Sequence, residues 1–106
     1  MGGRKKDRPG QRKQARSLAK ILREREALAK QAAGGAPDRP IVLESASQVE
    51  PRAETIGCAR CDAEVRVTAH EATVSDGIPL RVARVQCKAC GAERPIWFRL
   101  RSALPN

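Results

Sequence analysis

Cys58-Ala59-Arg60-Cys61 and Cys87-Lys88-Ala89-Cys90 decide how this chain folds. They contain all 4 cysteines of a 106-residue sequence and stand 25 residues apart. A C-x-x-C pair lets one short turn aim two thiolates at a single ion, and a second pair brought back by a hairpin completes a tetrahedron. Tetrahedral all-sulfur coordination suits zinc, and also iron. The competing assignments are two disulfides or four unrelated buried thiols. The paired spacing, in a chain without secretory features, favours a metal. The residues that follow each pair, Asp62 and Gly91, support this. A metal knuckle turns sharply after its second cysteine, often at positive φ, which Gly adopts freely and Asp tolerates better than most residues. Backbone N–H groups then point back at the sulfurs and stabilise thiolate charge.

With strand-like sequence between and after them, Cys58-x-x-Cys61-Asp62 and Cys87-x-x-Cys90-Gly91 resemble a zinc ribbon, over about residues 54–101. Neither pair carries the internal proline that many ribbons have. The resemblance implies two knuckles, a small antiparallel sheet, and one structural Zn2+ held by Cys58, Cys61, Cys87 and Cys90. Ribbons of this family occur in transcription machinery, ribosomal proteins, topoisomerases and many small bacterial proteins. The basic arm and ribbon together resemble small bacterial zinc-ribbon proteins, a likeness that implies no defined activity. The expected fold is a small metal-stabilised β unit: a three-stranded antiparallel zinc ribbon preceded by one basic amphipathic α-helix and a linker. Its divisions are a disordered basic tail at 1–10, a helix at 11–33, a linker at 34–54, the ribbon at 55–101 and a tail at 102–106.

Within the ribbon, Glu64 to Ala69 alternates Val65 and Val67 with polar residues, as in a half-buried strand. Ser75-Asp76-Gly77 is the hairpin turn signal. Leu80 to Cys87 is the return strand, and the odd separation of Val82 and Val85 suggests a bulge. Arg94 to Arg101 is the last strand, with Ile96, Phe98 and Leu100 on one face and Trp97, Arg99 and Arg101 on the other. A Trp between two arginines suits a stacked base and its phosphates. Equally, Trp97 suits a cover for the metal site or a seat for the helix. The core candidates are Ile56, Val65, Val67, Val74, Ile78, Leu80, Val82, Val85, Ile96, Phe98 and Leu100, with 1 Trp and 1 Phe as the only aromatics. A unit this small usually needs a metal or disulfides to stay folded.

The net charge of +9 is segregated: residues 1–33 hold 11 Lys/Arg against 3 Asp/Glu. The cations Arg4, Lys5, Lys6, Arg8, Arg12, Lys13, Arg16, Lys20, Arg23 and Lys30 are candidate phosphate contacts. Residues 11–33 are dominated by helix formers and stop at Gly34-Gly35. At helical spacing Leu18, Ile21, Leu22, Leu28, Ala29 and Ala32 share one face, with Arg25 in its middle. Glu26 and Lys30 are spaced for an i,i+4 pair. This helix suits nucleic acid through its basic face, or the ribbon or a partner through its apolar stripe, with a coiled-coil dimer a weaker variant because Arg25 interrupts a stripe of about three heptads; it lacks the bulky anchors of a membrane-surface helix. In the linker, Gly34-Gly35, Pro37, Pro40 and Pro51 oppose regular structure, and Ile41-Val42-Leu43 is an apolar island suited to an edge strand or a docking segment.

No apolar run follows Met1-Gly2-Gly3-Arg4-Lys5-Lys6, and Lys6 stands where myristoylation needs Ser or Thr, so the expected compartment is a reducing cytoplasm without integral membrane association. His70 is expected at the surface because four cysteines already close the site. Glu64, Glu71, Asp76 and Glu93 show no paired spacing for acid/base work, and no phosphate loop or nucleophile motif is present. The sequence therefore points to a non-enzymatic zinc protein that binds nucleic acid, RNA rather than DNA, or a ribonucleoprotein. The alternatives are a protein-interaction adaptor and a rubredoxin-like iron electron carrier.

Overall fold

A computed structural model describes residues 9–101, with side chains in the first helix described from Gln14 onward. Helix α1 (Pro9–Gln31) leads into strand β1 (Ile41–Leu43), a 3-10 turn (Ala46–Gln48), a short helix α2 (Val49–Glu54), and strands β2 (Val65–Ser75), β3 (Ile78–Cys87) and β4 (Glu93–Leu100). The helix begins two residues earlier than expected, because Pro fits the first turn, where its missing N–H has no intrahelical partner.

The sheet has four strands in the order β1-β4-β3-β2 rather than three. β2, β3 and β4 form the expected antiparallel meander, and β1 adds to the free edge of β4 in parallel, pairing Ile41 with Phe98 and Leu43 with Leu100. The apolar island thus supplies an edge strand. Its docking is set up by Gly34, buried at φ 86°, where an added Cβ would lie 2.8 Å from the Ile41 side chain and 3.0 Å from that of Ile96. The Gly34 carbonyl accepts from Trp97 N (2.8 Å), so the chain leaving α1 is bound to β4 before β1 begins.

The stretch expected as an unstructured linker carries further regular structure. Gln48 Oε1 accepts from the backbone of Glu44 (2.8 Å) and Ser45 (3.2 Å), closing the 3-10 turn that feeds α2. Pro51 does not prevent α2, since it sits in the first turn, where no intrahelical acceptor is required. α2 buries Val49 and Ala53 completely against Val65, Ala83, Val85, Ile96 and Phe98, with Ile41, Leu43 and Ile56 at the margin. The core therefore lies between one short helix and one sheet face.

The turn Asp76-Gly77, with both residues at positive φ (51° and 78°), joins β2 to β3 as expected for a two-residue hairpin. The bulge falls in β2, not β3: the register shifts between Val67 and Ala69, leaving Thr68 as the extra residue. In β3, Val85 faces the core while Val82 is buried on the opposite face, in register with Trp97. Val74 and Ile78 are exposed rather than core, because the far end of the hairpin extends past the reach of α2. His70 is not at the surface either. Downstream of the bulge it turns to the α2 face, where its ring is 15% exposed and Nδ1 lies 3.2 Å from Glu50 Oε2.

Candidate metal centre

Each C-x-x-C pair builds the same backbone turn. In the first knuckle, Cys58 N donates to the Ala63 carbonyl (3.0 Å) and Asp62 N to the Cys58 carbonyl (3.0 Å). In the second, Cys87 N donates to Ala92 (2.8 Å) and Gly91 N to Cys87 (3.2 Å). Asp62 (φ 62°) and Gly91 (φ 78°) make the reversals, as their residue types require. Lys88 N donates to the Glu64 carbonyl (2.9 Å), which ties the second knuckle to the segment leaving the first.

This brings all four sulfurs within 4.8 Å of one another, with Cys58–Cys90 at 3.6 Å and Cys61–Cys87 at 3.5 Å. A tetrahedron with metal–sulfur bonds of about 2.3 Å has edges of about 3.8 Å, so the set is spaced for one ion. In each pair the first cysteine is buried and the second exposed. Arg60 N donates to Cys58 Sγ (3.3 Å), and Ala89 N and Cys90 N both donate to Cys87 Sγ (3.3 Å each). The N–H groups of Cys90 and Ala89 pull the Cys87 thiol down to about 6 against its burial. Cys61 responds oppositely. The Ala63 N–H favours its thiolate, but the crowded sulfurs of Cys87, Cys58 and Cys90, with burial, push it up to about 12. Four thiols in this space cannot all ionise without a cation among them, and a divalent metal is the cation that the donor set fits. The cysteines are positioned to bind a metal ion.

Three cations surround the cluster. Lys88 reaches Glu64 (3.3 Å) and Arg60 reaches Glu26 of α1 (3.8 Å). Sequence reasoning did not single out Arg94. It lies on the core face of β4, in register with Val85, and donates Nη2 to the Gly57 carbonyl (3.1 Å) just before Cys58. Burial pushes its pKa down and the Cys58 charge opposes that shift. Its Nε is buried with no partner among the described residues. The signal was present in the alternation, since Arg94 continues the row Ile96, Phe98, Leu100; a cation on an apolar face implies an anion nearby.

α1 meets the metal-binding unit at the first knuckle. Arg25 Nη1 donates to the Arg60 carbonyl (3.2 Å) and to Asp62 Oδ2 (3.4 Å). Glu26 therefore pairs with Arg60 across this contact and not with Lys30. A cavity of about 420 Å³, lined by Ala29, Lys30, Pro37, Arg60 and Arg94 among others, separates this part of α1 from the sheet. The stripe is not packed as a unit: Leu22 and Ala29 are half-buried, while Leu18, Ile21 and Leu28 are 57%, 47% and 65% exposed.

Of the candidate phosphate contacts, Arg16, Lys20, Arg23 and Lys30 are exposed and make no ion pair among the described residues. Arg4, Lys5, Lys6 and Arg8 lie outside the described residues, as do the side chains of Arg12 and Lys13. Trp97 and Arg99 share the sheet face opposite Ile96 and Phe98, both half-buried. Arg101 does not extend that row, because β4 ends at Leu100 and Arg101 Nε instead pairs with Glu44 (2.8 Å). No described helix is long and apolar enough to cross a membrane. Comparison with protein-family models, curated proteins and solved structures found no match.

Proposed function

We propose that this chain is a non-enzymatic zinc-ribbon protein of the cytoplasm that binds nucleic acid, RNA rather than DNA, or a ribonucleoprotein, through the cationic face of α1 and the basic segment before it. Cys58, Cys61, Cys87 and Cys90 would hold one Zn2+, whose role is to fix the two knuckles and with them the base of the helix. Zinc is favoured over iron because the core is aliphatic with a single Phe98, unlike the aromatic-rich cores of rubredoxins. A colourless metal-loaded protein is the expected result, and a red oxidised one would return the electron-carrier reading.

The observation that carries the nucleic-acid reading is the exposure of Arg16, Lys20, Arg23 and Lys30 on a helix held to the ribbon near its C-terminal end. Phosphate contacts of this kind need accessible cations and no fixed partner within the chain. Trp97 and Arg99 add a half-buried surface suited to stacking. The test is binding of the metal-loaded protein to structured RNA and duplex DNA across a salt series. The expected result is a steep salt slope, tighter for RNA, that flattens by about three contacts' worth in an Arg16→Glu, Lys20→Glu, Arg23→Glu variant. An unchanged slope removes the helix from the interface. A protein-adaptor role is favoured by one observation, the exposed Leu18, Ile21 and Leu28; retention of an unlike protein by a variant that no longer binds nucleic acid would support it.

A further inference from the structure

The exposed side of α1 has a spacing that the metal-binding unit uses only at Arg25. Gln14, Leu18, Ile21, Arg25 and Leu28 follow one another at intervals of four, three, four and three residues, the repeat of a coiled-coil seam. In that frame Leu18 and Arg25 are a positions, and Gln14, Ile21 and Leu28 are d positions. Arg16, Arg23 and Lys30 fall at f, the position farthest from a seam, and Lys20 falls at c beside them. The flanking e and g positions hold Ala15, Ser17, Leu22, Glu24, Ala29 and Gln31, so Glu24 is the only charge at the edges. A solvated helix has no reason to keep every Lys and Arg off both edges. A helix that meets its own copy does, because like charges at e and g would oppose the pairing.

Arg25 is the exception within the seam, and its contacts account for it. Its guanidinium is drawn aside to the Arg60 carbonyl and Asp62, so the charge is carried off the helix face by the first knuckle. The first knuckle meets α1 at Arg25 and Glu26, at a and b, with Leu22 and Ala29 half-buried at e, and Leu18, Ile21 and Leu28 stay exposed. We infer that the apolar seam of α1 pairs with the same seam of a second copy of this chain, forming a short coiled-coil dimer whose cationic f rows point outward. The inference does not rest on nucleic-acid binding, since the seam and the f row lie on different sides of the helix. A dimer would present two cationic rows to one polyanion, and avidity would follow without any new contact.

Sedimentation of the full-length, metal-loaded protein over roughly a hundredfold range of concentration tests this, because mass action makes a weak dimer concentration-dependent. The expected mass rises from 11.5 kDa towards twice that value. Ile21→Asp, at an exposed position without ribbon contacts, should keep its metal content and remain at 11.5 kDa throughout. Arg25→Leu should make the seam apolar at the interrupted layer and shift the midpoint about tenfold lower in concentration. A wild-type protein that remains monomeric throughout overturns the inference and leaves the stripe to an unlike partner. An Ile21→Asp variant that still doubles in mass, or an Arg25→Leu midpoint that does not move, overturns it as well.

Discussion

The two knuckles share a backbone and differ in what holds them. The second continues β3: Cys87 is the last residue of that strand, Ala92 accepts its N–H, and β4 begins one residue later. The first belongs to no strand. It sits between α2 and β2, and side chains from distant parts of the chain brace it: Arg94 at Gly57, Arg25 at Arg60 and Asp62, and Glu26 at Arg60. The same local turn can thus be held by a sheet or by tethers. Among the described residues, only the tethered one pairs with side chains of the basic helix.

Metal removal tests the comparison most severely, because the four cysteines of both knuckles are spaced for a single ion. A strong chelator should unfold the metal-binding unit with loss of its far-ultraviolet β signal, consistent with a metal contribution on the order of 10 kcal/mol. A preserved β spectrum would mean that α2 and the sheet stand without the metal. Next comes Arg94→Ala, which removes a half-buried cation beside Cys58. Metal affinity, read by competition with a chromophoric chelator, should fall about 10- to 100-fold, with partial recovery in Arg94→Lys. Lys88→Ala at the second knuckle should do much less, and an equal loss there would erase the asymmetry.

The reversal residues should separate the knuckles by backbone strain. Gly91→Ala meets no atom within 4 Å but forces an L side chain to φ 78°, so denaturation of the metal-loaded protein should show a cost of about 1–2 kcal/mol. Asp62→Gly relaxes the backbone while losing the Arg25 contact, and should stay within about 1 kcal/mol of wild type. The smallest effect is expected for Arg25→Ala, an exposed pair contributing at most about 1 kcal/mol. Its signature is local: hydrogen exchange at Arg60 and Asp62 should accelerate, while exchange at Ala89 to Gly91 should not change.

Much of the candidate site was legible from residue type and spacing. The two cysteine pairs, the reversals at Asp62 and Gly91, the Asp76-Gly77 turn and the division of β4 into two faces are local consequences of local sequence. The misreadings are those where a distant segment intervenes. Pro37, Pro40 and Pro51 do punctuate residues 34–54, yet β4 offered a free edge to Ile41–Leu43 and the sheet offered an apolar face to Val49 and Ala53. His70 reads as a surface residue until the bulge at Thr68 turns it towards α2. Arg94 reads as one more arginine until Gly57 and Cys58 are placed beside it.

By itself, then, the sequence determined the chemistry: four thiols in two turns that only certain residues can make, and a cationic segment set apart from a nearly neutral one. Those properties depend on φ preferences, side-chain donors and charge, which each residue carries wherever it lies. The tertiary structure decided which edge β1 joined, that α2 closes the core, that Arg94 faces the first knuckle, and that Arg25 is drawn off the helix face towards Asp62. These are contacts between segments separated by tens of residues. Their free energies come from burial and pairing that exist only once the metal-binding unit has brought the segments together.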